Sequence, residues 1–326
     1  MKALLVVERE PALKIKVGEV PEPEIGPHDL LVKVVAAGLN WADLRAGAVR
    51  FGAGADAGPT IPGLEMAGTV VTVGERAVGF EVGDPVMGMT TASLAEFARI
   101  DHRIAIKVPA SVDWNLAGSS SVSLLTAHDA LITHGKLDRG QSVFVHAATS
   151  GVGFAAIQMA RMIDAGLIMG TASSPEKLKV AEAYGLDIAV NYRDQDFLEI
   201  VLDKTGGAGV DVVIDTVGAG VLDRNMRAVK IGGRIIGVGR FGGKFDRIDL
   251  DLLALRRISL IGVSFRTRSI EEHTAIVRRF SDDFLENMEK GQLTLPIAEV
   301  FGLNGAHRAF EMLASRDYVG KLILRF

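Results

Sequence analysis

Between residues 142 and 264, short apolar runs alternate with stretches of helical period, and that alternation leaves few architectures open. The apolar runs are Ser142 to Ala148, Leu167 to Ala172, Ile188 to Tyr192, Val210 to Val217, Arg234 to Gly239 and Ile258 to Ser264. Most are nearly continuous, as expected of parallel strands covered on both faces. Helical patterns lie between them at Phe154 to Ile163, Glu176 to Tyr184, Gln195 to Lys204, Val221 to Val229 and Leu250 to Arg257. Parallel strands joined by helical crossovers predict a doubly wound α/β sheet.

The flanking residues follow a different rule. From Met1 to about Pro109 the pattern is short strands punctuated by Gly and Pro: Lys2 to Val7, Leu13 to Val20, Leu30 to Ala37, Ala67 to Val73, Pro85 to Met89 and Leu94 to Ile100. Such a run predicts a closed or nearly closed β-barrel. After about Phe265 come a helix (Ile270 to Lys290), a strand near Leu293 to Val300, a helix (Gly305 to Ser315) and a last strand, Lys321 to Phe326. That tail is too short for a domain and is expected to return to the first one. The domain reading is therefore 1–118 with 266–326 for the barrel, and 119–265 for an inserted doubly wound unit. A chain of 326 residues is long enough for two cores, with a ligand expected in the cleft between them.

Composition narrows the function. Net charge of −4 offers no basic surface for nucleic acid or an anionic membrane, and pairs such as Arg256-Arg257 and Arg278-Arg279 read as solvated helix faces. No apolar leader and no run of eighteen apolar residues occurs, so a cytoplasmic protein without a membrane span is expected. Cysteine is absent, which removes disulfides, thiolate nucleophiles and every cysteine-containing zinc site. The seven histidines show no H-x-x-x-H pairing, so no metal site is expected.

The first apolar run of the alternating segment ends in His146-Ala147-Ala148-Thr149-Ser150-Gly151-Val152-Gly153 and passes directly into an amphipathic helix. That is the setting a dinucleotide fingerprint requires, with Ala148, Ser150 and Gly153 at the glycine positions, only the last of them literal. Small residues let the backbone approach a pyrophosphate, and the helix N-terminus supplies N–H groups and the positive end of its dipole. A tight strand-to-helix turn without ligand is the other reading. A NAD site carries an Asp or Glu about 20 residues further on for the ribose 2′-hydroxyl. Here that strand ends in Ala172-Ser173-Ser174-Pro175-Glu176-Lys177, a serine pair in place of the carboxylate. Ser174 suits an N-cap with Pro175 at the first helical position, which puts Lys177 in the first turn, where a cation is disfavoured unless an anion is bound. With Tyr192 and Arg193 at the end of the third run, these residues could form a pocket for a 2′-phosphate. Lys177 as a solvated surface lysine and Tyr192 as core remain the alternatives.

These residues resemble the zinc-free quinone oxidoreductase branch of the medium-chain dehydrogenase/reductase superfamily, over essentially the whole chain. The resemblance is carried by Ala36-Ala37-Gly38-Leu39-Asn40-Trp41-Ala42-Asp43, Pro62-Gly63-Leu64-Glu65-Met66-Ala67-Gly68, the turn at His146 to Gly153, Asn191-Tyr192-Arg193 and Val319-Gly320-Lys321-Leu322. It implies a GroES-like β-barrel domain, an inserted Rossmann domain, NADPH as cofactor, a small-molecule electron acceptor and a homodimer paired through the last Rossmann strands. It further implies Asn40 and Thr126 near the nicotinamide, Ser150, Gly151 and Val152 at the pyrophosphate, and Ser173, Ser174, Lys177 and Tyr192 at the 2′-phosphate. Gly239, Phe241, Ser264, Phe265 and Lys321 are candidates for the nicotinamide and ribose side. Asn40, Trp41, Phe51, Leu125 and Phe241 are candidates for an acceptor pocket. Each of the apolar candidates has an ordinary core reading beside the functional one.

The departures matter as well. Zinc-dependent relatives carry Gly-His-Glu where this chain has Gly63-Leu64-Glu65, and the loop Leu44 to Pro59 lacks the tyrosine that several relatives place near substrate. Asp43 and Glu65 read as structural hydrogen-bonding groups or as a proton relay, and no catalytic residue is assigned. The expected activity is NADPH-dependent quinone reduction by direct hydride transfer. An NADPH-dependent reductase of enone or enal C=C bonds and an NADPH-binding structural or regulatory protein are the competing readings.

Overall fold

The computed structural model describes residues 1–8, 13–45 and 60–326, except for the Arg45 side chain. The chain divides into two compact units, Met1–Val122 with Ser269–Phe326, and Ser123–Arg268.

The first unit is built on strands β1 (Lys2–Glu8), β2 (Lys14–Glu19), β3 (Asp29–Gly38), β4 (Glu65–Val73), β5 (Pro85–Met89), β6 (Phe97–Asp101) and β7 (Ala105–Lys107). β1 and β2 form an antiparallel hairpin. β3 is the organising strand, with Leu30, Val32 and Val34 buried and Lys33 exposed, the period-2 pattern of a sheet with one face on a core. It pairs antiparallel with β4 and with β6.

Helix α1 (Trp114–His128) spans the boundary between the units and opens into a π turn over Asp129–His134. Sequence periodicity gave no bounds for this helix, for a physical reason. Ser119, Ser120, Ser121 and Ser123 are buried along with Leu124 and Leu125, so polar type does not mark a solvent face.

The second unit contains β8 (Ser142–Val145), α2 (Gly151–Met162), β9 (Leu167–Ala172), α3 (Pro175–Ala183), β10 (Ile188–Asn191), α4 (Phe197–Lys204), β11 (Val210–Asp215), α5 (Leu222–Ala228), β12 (Val229–Gly237), α6 (Leu250–Leu255) and β13 (Ser259–Gly262). The strands are all parallel in the order β10-β9-β8-β11-β12-β13, which is the doubly wound order with its reversal between β8 and β11. β11 is buried throughout. β13 is the exception to the two-sided cover expected from its apolar sequence: as the edge strand it leaves Leu260 47% exposed.

The chain then returns to the first unit as α7 (Ile270–Glu289), β14 (Ile297–Gly302), α8 (Ala306–Ser315) and β15 (Lys321–Arg325). β14 begins later than the apolar pattern suggested, just after Pro296, whose carbonyl accepts the Lys321 N–H at 2.9 Å. β15 pairs with β3, and Phe301, Phe310, Leu322 and Leu324 enter the same core as Leu30, Val32 and Met66. The resulting sheet runs β14-β15-β3-β4-β5-β7, with β6 also on β3, so among the described residues the barrel is partly open rather than closed.

Candidate active site

At the carboxyl edge of the doubly wound sheet, β8 ends at Val145 and the turn His146–Ser150 leads into α2. Ser150 is the N-cap, its Oγ accepting the Gly153 N–H at 3.1 Å. Gly151 and Val152 occupy the first two helical positions, where N–H groups have no partner within a helix. Gly153 must be glycine, because a Cβ there would stand 2.5 Å from the Ala147 carbonyl oxygen and 2.6 Å from that of Ala148. The left-handed residue of the turn is Ala147 (φ 50°), outside the three fingerprint positions.

Beneath the turn lies a buried polar chain that sequence reading did not foresee. Asp215 Oδ1 accepts the N–H groups of Val217 and Gly218, and Oδ2 accepts from Asn225 Nδ2 at 3.2 Å. That fixes the Asn225 amide with Oδ1 toward His146, so His146 Nε2 donates to it at 2.8 Å. His146 Nδ1 is then the acceptor facing the Thr171 hydroxyl at 3.3 Å. Burial holds His146 neutral, lowering its pKa from the usual imidazole range. The chain ties the turn to β9, β11 and α5.

The 2′-phosphate candidates gather at the ends of β9 and β10. Asn191 pairs with Ala172, and the Tyr192 N–H donates to the Ala172 carbonyl at 3.2 Å, which brings Tyr192 level with Ser173. Ser173 and Ser174 are half-buried, Tyr192 is exposed, and Lys177 lies in the first turn of α3 under the Ser174 cap. Glu176 shares that turn, held below the usual carboxylate range by the Ser174 hydroxyl and by its own backbone N–H. Gly239 and Phe241 follow β12, with the Phe241 N–H on the Thr216 carbonyl at 3.3 Å, and Ser264 and Phe265 follow β13. Thr126 lies on α1 with 9% of its surface exposed.

In the other unit, the buried Asp43, Glu65 and Lys321 form one cluster with the half-buried Asn40. The Lys321 ammonium donates to Leu39 O at 3.1 Å, Asn40 Oδ1 at 2.8 Å and Glu65 Oε1 at 2.8 Å. Asn40 Nδ2 donates to Glu65 Oε1 at 2.9 Å, and Glu65 Oε2 accepts the Val122 N–H at 2.7 Å. Gly38 makes room for this crossing, since a Cβ there would meet Glu65 Oε1 at 2.5 Å and Ser119 Cα at 2.7 Å. Asp43 accepts from the Asn40 and Gly63 backbone N–H groups, and burial pushes its carboxyl up to about 7 despite them.

This geometry corrects two of the candidates. Lys321 has all three ammonium hydrogens committed inside the protein and 4% of its surface exposed, so none is left for a ribose or nicotinamide. Leu125, 1% exposed, is core rather than pocket wall. Trp41 is half-buried, with the Arg316 guanidinium 3.9 Å from its ring centre. Phe51 lies outside the described residues.

A doubly wound unit with a small-residue turn at its switch point, inserted into a β-rich unit completed by the end of the chain, defines the class: a two-domain protein of nucleotide-binding architecture. Residues 26–110 match the alcohol dehydrogenase GroES-like domain, and residues 151–282 match the family described as zinc-binding dehydrogenase. A probable quinone oxidoreductase of Schizosaccharomyces pombe is 32% identical over 96% of this chain and 92% of its own. The quinone oxidoreductase of Pseudomonas syringae pv. tomato is 26% identical, with TM-score 0.86 over 100% of this chain and 99% of the other. A mycobacterial protein solved in complex with NADPH is 27% identical, with TM-score 0.85 over 99% and 100%. The chain belongs to the medium-chain dehydrogenase/reductase superfamily, in its quinone oxidoreductase-like branch. No helix among the described residues is long and apolar enough to cross a membrane.

Proposed function

We propose that this chain is a zinc-free NADPH-dependent quinone reductase. The observation that carries the cofactor reading is the end of β9, where Ser173 and Ser174 stand with Tyr192 alongside and Lys177 in the following turn, and no carboxylate terminates the strand. Those residues suit a dianionic 2′-phosphate, and an Asp in their place would repel it. The Gly151 and Val152 N–H groups, with Ser150, would hold the pyrophosphate, and the close approach that Gly153 permits keeps α2 seated on the turn. Within the same unit, Thr126, Gly239, Phe241, Ser264 and Phe265 would orient the nicotinamide.

Bound NADPH would supply a hydride, and a quinone accepts it with no need of a Lewis acid, its product anion taking a proton from water. The sequence fits that chemistry: it has no cysteine, and Leu64 replaces the histidine of zinc-dependent relatives. A homodimer through the β13 edge is part of the proposal. It is supported by exposed apolar side chains there and on the preceding segment, Leu260 (47%), Leu255 (70%) and Leu250 (67%).

The test is turnover of NADPH with a simple quinone against a simple enone. Higher kcat/KM on the quinone is the expected result. Higher efficiency on the enone transfers the assignment to C=C reduction, and failure of every acceptor in a broad panel leaves an NADPH-binding module without turnover.

A further inference from the structure

Where α1 opens into its π turn, Asp129 is fully buried and its Oδ2 lies 2.5 Å from the Arg268 guanidinium. The two residues are 139 positions apart, so the pair joins the end of α1 to the segment that leaves β13. Arg268 also grips that segment directly. Its Nε donates to the Ser264 carbonyl at 3.1 Å, and its guanidinium lies 5.6 Å from the centre of the Phe265 ring. His134, which ends the π turn, meets the same guanidinium nitrogen at 3.3 Å.

A buried ion pair is a weak source of stability, because an apolar pair of similar volume does as well or better, although removing one partner alone is damaging. Irregular helical turns of this kind often mark functional positions. The segment being held carries Ser264 and Phe265, and the helix doing the holding carries Thr126 three residues before Asp129.

We propose that Asp129 and Arg268 are positioning residues for the cofactor: they hold Ser264 and Phe265 in one conformation against the end of α1, so the nicotinamide half of NADPH meets a pre-ordered wall. The inference rests on the NADPH reading above. Neither residue need touch the cofactor. Their effect is on the fraction of molecules whose 264–265 segment is in the binding conformation, and apparent affinity scales with that fraction. If the fraction falls to about a tenth without the pair, NADPH binding weakens about tenfold.

The experiment uses the double variant Asp129→Leu/Arg268→Met, which removes both charges together and avoids stranding a buried carboxylate. Calorimetric Kd values are measured for NADPH and for 2′,5′-ADP, a probe that carries the phosphate end without the nicotinamide. The expected result is an NADPH Kd raised about tenfold with the 2′,5′-ADP value unchanged. Equal losses for both ligands, or no loss for either, would overturn the proposal, since a merely structural pair does not distinguish the two ends of the cofactor. A wild-type protein that binds neither ligand removes the NADPH reading itself and this inference with it.

Discussion

Asp43→Asn removes a carboxyl group that burial has pushed up from an ordinary 3.8 to about 7. Between those values the folded protein holds a proton that the unfolded chain releases, so this group adds stability that is full at low pH and fades as pH rises through about 7. Integrating that difference gives wild-type protein about 2–3 kcal/mol more stability from Asp43 at pH 5 than at pH 8. The asparagine variant cannot titrate. It bears a separate cost of about 1–3 kcal/mol, because its amide faces the Asn40 or Gly63 N–H with a donor, but that cost is the same at both pH values. His146, lowered by burial, contributes with the opposite sign in both proteins and cancels in their difference. Denaturant unfolding at pH 5 and pH 8, at fixed ionic strength, reads the effect. Trp41 and Trp114 both lie in the unit that contains Asp43, so intrinsic fluorescence follows the relevant transition. The variant should be destabilised relative to wild type by about 2–3 kcal/mol more at pH 5 than at pH 8. An identical difference at the two pH values would refute the argument that the fold holds Asp43 protonated.

Two further outcomes are expected. Lys177→Ala should weaken NADPH far more than NADH in calorimetric titration, and equal losses would mean that Lys177 does not meet the 2′-phosphate. Asn225→Leu breaks the chain from His146 to Asp215 and should cost roughly 1–3 kcal/mol or more in denaturant unfolding, as polar groups are left buried without partners; an unchanged midpoint would show that the chain is not what holds the turn.

Much of the doubly wound unit was legible in the residues, because a parallel strand between two layers of helix is apolar on both faces and its helices are amphipathic. Leu167–Ala172 was bounded correctly from pattern alone. α1 was not bounded, since buried serines disguise its packing, and β7, only Ala105–Lys107, is too short to show a period. Of the candidate site, the Ser174, Pro175, Lys177 turn follows from local backbone chemistry and could be read from spacing, whereas the cap at Ser150 stood in the sequence only as a fingerprint position. Lys321 was a candidate for the nicotinamide and ribose side through the family resemblance alone. Only its three acceptors, all of them from residues more than 250 positions away, reveal a group spent on the interior.

Sequence by itself therefore determined the class of architecture, the small-residue turn from strand to helix and the absence of a cysteine ligand, all of them properties of residue type and near-neighbour spacing. The tertiary structure decided which polar groups are satisfied and by whom. Glu65 meets Lys321, Asp129 meets Arg268 and His146 meets Asn225 across 256, 139 and 79 residues. The reason is physical: hydrogen bonding and desolvation depend on distance in space, and no local pattern encodes which distant donor the fold will carry to a buried carboxylate or imidazole.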